Sequence, residues 1–264
     1  MKPKKQLGQN FLTRDHYAKV MTDAAKVEKN DTIVEIGPGK GILTDILLSR
    51  TKKVIAIEKD RELLPFLEEK FQKEIKSGKL KIINEDILKF TPSRYTLDVT
   101  RYKVIANIPY YITGEILRHF LTAKKQPQSM TLMVQKEVAE RIIAKNGKES
   151  LLSISVKVYG EPKIAARVGA GNFYPKPKVD SAIIHIDNIS RDFFKNISEE
   201  KFFKILHAGF SHKRKMLAGN LAAFGKKQVA EAFQKAKLSP KTRAEDVSLE
   251  EWEVVAKHFN VQQD

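Results

Sequence analysis

Cysteine is absent from the 264 residues, which excludes a disulfide framework, a thiolate nucleophile and every cysteine-ligated zinc or iron–sulfur site. The expected compartment is therefore reducing, and a cytoplasmic location is read from it. Glycine (13 residues) and proline (10) are too few for a collagenous or low-complexity chain. No apolar run approaches the ~20 residues of a membrane span. The opening Met1-Lys2-Pro3-Lys4-Lys5-Gln6-Leu7 also lacks the apolar segment of a secretory signal, so neither a membrane nor export is expected. The six histidines show no paired spacing suited to a metal, and none is expected. Acids are scarce as well: 32 Asp plus Glu stand against 48 Lys plus Arg, a formal net charge of +16. A basic surface attracts polyanions and releases counterions when it neutralises phosphates, so nucleic acid is the first partner to consider. The same lysines would also serve solubility alone.

What is present is enough for a core: 42% of residues are hydrophobic, including 14 Phe. From Thr32 to Gln135 short apolar runs (Thr32–Ile36, Val54–Glu58, Leu80–Asn84, Lys103–Ala106, Met130–Gln135) alternate with helical stretches (Ile42–Arg50, Arg61–Lys76, Gly114–Leu121, Lys136–Ala144). That rhythm predicts an α/β core with a parallel sheet. Val54-Ile55-Ala56-Ile57 has the unbroken apolar character of a strand buried on both faces. Leu151–Val158 fits a strand or a one-sided helix equally well. Ile164–Val168 and Val179–Ile186 predict an antiparallel hairpin at a sheet edge. Beyond Arg191 only helices are expected, near Ser198–Phe210, Met216–Ala223, Gln228–Ala236 and Leu249–His258, the last opened by a capping box of Ser248 and Glu251. The expected domains are residues 1–190, with a basic arm over residues 1–12, and a small helical domain over residues 191–264.

Chemistry gathers where the strands should end. Gly37-Pro38-Gly39-Lys40-Gly41 follows the first strand, where backbone without a Cβ can turn sharply and meet a ligand closely. Position 42 is Ile, so the dinucleotide fingerprint fails, and Gly41 after Lys40 breaks the phosphate-loop pattern. Pro38 removes a further N–H, and a ligand with little or no phosphate fits better. Glu58, closing the second strand, can accept hydrogen bonds from both hydroxyls of a ribose. Asp86, after the third strand, can accept from an adenine amino group. The fourth strand delivers Asn107-Ile108-Pro109-Tyr110, in which proline stiffens the turn so that the Asn107 amide and the Ile108 carbonyl stand beside an aromatic ring. Two acceptors next to a ring suit a planar amine.

With these residues together, the chain resembles an S-adenosyl-L-methionine-dependent methyltransferase of exocyclic amines. Four more stretches, Gly8-Gln9-Asn10-Phe11-Leu12, Asn172–Ser181, Phe210–Leu217 and Arg243–Asp246, are similar to the ribosomal RNA adenine N6,N6-dimethyltransferase family. The resemblance implies a Rossmann-like methyltransferase core with a small all-helical carboxyl-terminal domain, and it implies that Leu151–Val158 is a helix. It further implies that Asn10, Leu12, Gly37, Glu58, Asp86 and Asn107 hold S-adenosyl-L-methionine, and that Asn107, Ile108 and Tyr110 carry the transfer. Pro109, Tyr110, Phe173, Lys213, Arg214 and Lys215 would meet RNA, with Tyr110 and Phe173 stacking on a flipped adenine. Lys2, Lys4 and Lys5 make a second candidate basic arm. The implied substrate is 16S ribosomal RNA within a small subunit or its precursor, dimethylated at two adjacent adenosines by a monomer. A large-subunit (23S) methyltransferase conferring macrolide resistance, and a noncatalytic RNA-binding or transcription factor of the same fold, are the alternatives. One departure stands out: Tyr111-Ile112-Thr113-Gly114 follows Tyr110, where bacterial housekeeping members commonly carry Asn and then Ile-Ser/Thr-Pro.

Overall fold

In a computed structural model of the chain, which describes residues 3–91 and 102–259, the apolar runs become strands. In chain order they are β1 (Phe11–Leu12), β2 (Thr32–Ile36), β3 (Lys53–Glu58), β4 (Leu80–Asn84), β5 (Lys103–Asn107), β6 (Ser129–Gln135), β7 (Glu161–Val168), β8 (Phe173–Tyr174) and β9 (Ser181–Asp187). Seven form one sheet in the order β4-β3-β2-β5-β6-β9-β7, parallel from β4 through β6 and antiparallel beyond. Val34 on β2 lies between Ile55 and Val104, and all three are buried, as a strand covered on both faces requires. The expected hairpin is present as β7 and β9. Its outer member β7 carries Pro162 at the sheet edge, where a missing N–H costs no ladder bond.

Helices α1 (His16–Ala24), α2 (Ile42–Arg50), α3 (Leu64–Lys70), α4 (Gln72–Lys76), α5 (Thr113–Leu121) and α6 (Lys136–Ile142) fill the connections. On α5 the buried residues Ile116, Leu117, Phe120 and Leu121 repeat at helical spacing and face the core. The single helix expected over Arg61–Lys76 is instead a 3-10 turn followed by α3 and α4. Asp60 caps the turn by accepting from the Glu62 N–H, and Phe71 interrupts the helix at φ −110° and ψ 26° with its ring in the core. Packing of that ring overrides local helix propensity.

The described residues divide into two compact units, one of residues 3–91, 102–139 and 161–189, the other of residues 140–160 and 190–259. The division departs from a single cut at residue 190, because residues 140–160 group with the helical unit. There α7 (Leu151–Lys157), a helix as the resemblance implies, leads to Tyr159, whose hydroxyl donates to Glu199 at 2.6 Å and whose ring stacks on Phe203. The same unit holds α8 (Glu199–Gly209), α9 (Leu217–Asn220), α10 (Lys226–Lys235) and α11 (Leu249–His258). The capping box of α11 is formed, Ser248 accepting from the Glu251 N–H and Glu251 from the Ser248 N–H. The helix expected over Met216–Ala223 shrinks to α9 and a 3-10 turn, since the Asn220 side chain donates back to the Gly209 and His212 carbonyls. No helix of the described residues is long and apolar enough to cross a membrane.

Candidate active site

The strand order progresses in opposite directions on either side of the β2–β5 pair, and open α/β sheets bind ligands in the crevice outside the carboxyl ends of the strands at that point. A cavity of about 320 Å³ lies there, lined by Gly37, Glu58, Asp86, Asn107, Ile108 and Pro109 together with Asn10 and Leu12. Every residue expected to hold the cofactor is thus in its wall. Among the described residues no three His, Asp or Glu side chains are grouped to hold a metal ion.

The glycine loop turns because its backbone is left-handed at two positions that a side chain would also crowd. Gly39 has φ +58°, and a Cβ there would lie 2.8 Å from the Phe11 ring; Gly41 has φ +77°, and a Cβ would lie 2.6 Å from the Phe71 ring. Phe11 therefore sits directly on the loop, and Gly41 starts α2.

Glu58 is buried at the end of β3. One carboxylate oxygen accepts from the Gly39 N–H at 3.3 Å and the other from the Asp60 N–H at 2.8 Å. Burial raises its carboxyl above the usual range, and these backbone bonds oppose the rise. Each oxygen keeps lone pairs for a diol. Asp86 is held low by the Lys59 ammonium, 2.8 Å away, and accepts from the Leu88 N–H. At the end of β5, Pro109 at φ −60° and ψ 129° leads into a 3-10 turn over Tyr110–Ile112. The Asn107 side-chain amide donates to the Asn10 carbonyl at 2.9 Å, leaving the amide oxygen for another donor. Tyr110 and Ser181 hydroxyls share a 2.5 Å hydrogen bond; burial pushes the Tyr110 hydroxyl up and the Ser181 bond opposes it.

A strap from the amino-terminal segment completes the wall. β1 pairs with β8, placing Phe11 opposite Tyr174 and Leu12 opposite Phe173. Upstream, Lys4 pairs with Asp60 at 2.7 Å and with Glu62 at 2.9 Å, while Gln9 donates to Asp60 at 2.9 Å. Lys4, expected as part of a basic arm, is therefore committed to an acidic pair inside the protein; Met1 and Lys2 lie outside the described residues. The tie of Asp60 to the strap has no local signal in the sequence, because Lys4 and Gln9 lie more than 50 residues away.

Phe173 departs from expectation. It is 3% exposed and belongs to the buried cluster that includes Leu12, Val168 and Ile183, so as placed it turns no face toward a base. Among the described residues the exposed Phe, Tyr or Trp rings are Tyr111 and Tyr174. Lys213, Arg214 and Lys215 are exposed in the loop between α8 and α9, in the helical unit.

Glu35 is a site-adjacent residue that the motif reading passed over, although an acid inside an apolar strand was its visible signal. It is fully buried on β2; one oxygen accepts from Thr44 Oγ1 at 2.8 Å and the other finds no donor among the described residues. Burial pushes its carboxyl up to about 8. The folded state then keeps a proton that the unfolded chain releases near its ordinary value of 4.5, so stability falls as pH rises from about 5 to 8. Glu35→Gln is expected to flatten that slope and to stabilise the protein at about pH 8 by on the order of a few kcal/mol, read by urea denaturation across the window. A slope unchanged by the substitution would contradict this assignment.

Comparison with known proteins agrees with this geometry. A family model described as ribosomal RNA adenine dimethylase matches residues 1–260. The ribosomal RNA small subunit methyltransferase A of Dehalococcoides mccartyi is 42% identical over 255 residues, 96% of this chain and 87% of its own. That of Fusobacterium nucleatum is 39% identical over 263 residues, 98% of each chain. The crystal structure of the 23S rRNA methyltransferase ErmE covers 95% of this chain and 99% of its own with a TM-score of 0.78 at 24% identity, a likeness that establishes the Rossmann-like methyltransferase fold. Matched over nearly its whole length, this chain belongs to the ribosomal RNA adenine dimethylase family, enzymes that methylate adenine in ribosomal RNA.

Proposed function

We propose that the chain uses S-adenosyl-L-methionine to dimethylate N6 of two adjacent adenosines near the 3′ end of 16S ribosomal RNA, in the cytoplasm, as a monomer acting on a small subunit or its precursor. The observation that carries the chemistry is the anchored Asn107 amide: with its nitrogen donated to Asn10, its oxygen is free to accept from an adenine amine in the cavity wall. The choice of subunit is supported by relatives named for the small subunit, at 42% and 39% identity.

The donor set fits the proposed cofactor. Glu58 presents acceptors for ribose hydroxyls, Asp86 for the adenine amino group, and the Gly37 surface is open, since nothing stands within 4 Å of where a Cβ would be. When bound, S-adenosyl-L-methionine supplies an electrophilic sulfonium methyl. The protein's part is alignment: Asn107 and the Ile108 carbonyl hold the amine with its lone pair toward the methyl-bearing side, and such positioning is worth several kcal/mol. Pro109 keeps that pair stiff, and Tyr110 takes one face of the flipped base. Phe173 serves the other face only by rotating out of its contact with Leu12.

Methyl transfer from labelled donor tests the reading, with modified nucleotides mapped. Dimethyladenosine at two adjacent positions of small-subunit RNA is expected. Modification of naked large-subunit RNA would favour the resistance enzyme, and no transfer would favour a noncatalytic factor. For the exposed basic loop, replacing Lys213, Arg214 and Lys215 together with alanine is expected to weaken RNA binding and to reduce the slope of log affinity against log salt by roughly 0.7–0.9 per lost phosphate contact. An unchanged slope would remove the loop from the RNA interface.

A further inference from the structure

The target base accounts for Tyr110 but leaves two other rings unexplained. Tyr111 is 62% exposed and Tyr174 60%, and no other Phe, Tyr or Trp ring among the described residues is exposed to that class. A lone surface ring needs no explanation. Here both stand at one place. Tyr111 lines the cavity, and Tyr174 lies opposite Phe11, which also lines it. Each ring is moored to the same strap. A Cβ on Gly8 would lie 3.1 Å from the Tyr111 ring, so only glycine lets the strap pass this closely, and Tyr174 is fixed by the β1–β8 pairing. Residues 8 and 11 can be no more than about 10 Å apart along the chain. Tyr111 and Tyr174 thus lie against the same short strap, beside residues only three positions apart in the chain.

The surroundings select nucleic acid over an apolar partner. Lys40 stands 5.5 Å from the centre of the Phe11 ring, and exposed Lys176 and Lys178 follow Tyr174 in the chain. Exposed rings interleaved with cations form a stacking platform for unpaired bases, because every base offers a π-face and every phosphate a charge.

We infer that Tyr111 and Tyr174 take the unpaired nucleotides on either side of the target adenosine, one ring for each neighbour. This rests on the proposed RNA adenosine substrate and deepens it: the platform selects a target by requiring unpaired neighbours on either side of it. Tyr111 then has a use of its own at the position where the family commonly carries Asn.

The test is a binding and kinetic cycle. Tyr111→Ala and Tyr174→Ala are each expected to raise the dissociation constant of a short unpaired RNA, and the KM for the ribosomal substrate, about tenfold, with kcat affected less. Tyr111→Phe and Tyr174→Phe are expected to restore most of the loss, since the ring and not the hydroxyl stacks. An unchanged melting temperature shows that the variants fold. RNA carrying abasic sites beside the target should bind wild type as weakly as intact RNA binds the alanine variants, with no additional loss when the two changes are combined. Fully additive losses, or unchanged affinity in the variants, would overturn the platform. If the wild type binds unpaired RNA through these rings yet leaves small-subunit RNA unmethylated, the substrate reading fails and the platform stands.

Discussion

Asn107→Ala is expected to lower kcat for methyl transfer by about 10²–10³-fold, the scale found when one preorganised hydrogen-bonding group is removed from a reacting centre. The side chain has two duties that the structure separates. Its nitrogen is satisfied by the Asn10 carbonyl, and its oxygen is the acceptor proposed for the amine. Alanine removes the proposed acceptor for the amine and also unties β5 from the strap. Cofactor affinity should fall only modestly, because Glu58, Asp86 and the glycine loop are untouched. Single-turnover transfer measured beside donor binding separates the two effects. Near wild-type turnover would show that Asn107 does not hold the substrate amine. Asn107→Asp keeps an acceptor but cannot donate to the Asn10 carbonyl, so it should lie between alanine and wild type.

The helical unit carries the second large effect. Trp252, 0% exposed on α11, stacks on Phe210 with ring centres 5.5 Å apart and closes over Gly209, where a Cβ would lie 2.4 Å from the indole. Trp252→Ala is expected to destabilise the protein by about 3–5 kcal/mol, because the lost apolar contact is compounded by a cavity the closely packed helices cannot fill. Urea denaturation followed by far-ultraviolet circular dichroism measures it. The indole N–H finds no acceptor among the described residues, so Trp252→Phe gives up volume while removing a buried orphan donor. It should cost clearly less than alanine. Equal losses for both would mean that the anchor is not the ring's volume.

The two substitutions act on different links of the chain from sequence to function. The Asn107 substitution is expected to act mainly on chemistry, and the Trp252 substitution on activity only through the fold of the helical unit. Glu35 stands between them. It is buried in the strand that leads into the glycine loop, and its raised carboxyl links the stability of the fold to pH up to about 8.

β2, β3, β5 and β6 were readable because parallel strands covered on both faces are nearly continuously apolar, and the ends of the strands drew attention to Glu58, Asp86 and Asn107 because ligands of such sheets bind along one edge. The capping box at Ser248 was readable for a similar reason: its partners lie three residues apart. The broken helix at Phe71 was not, since what interrupts it is a ring packed beneath a glycine 30 residues earlier in the chain. Nor could local pattern find the Lys4–Asp60 pair, the hydrogen bond between Asn10 and Asn107, or the burial of Phe173 behind Leu12. Sequence by itself determined which residues stand at the carboxyl ends of the strands, because periodicity and turn chemistry act over a few residues. Tertiary structure alone decided how the strap closes the cavity and which rings face the solvent, because those outcomes depend on contacts between segments far apart along the chain.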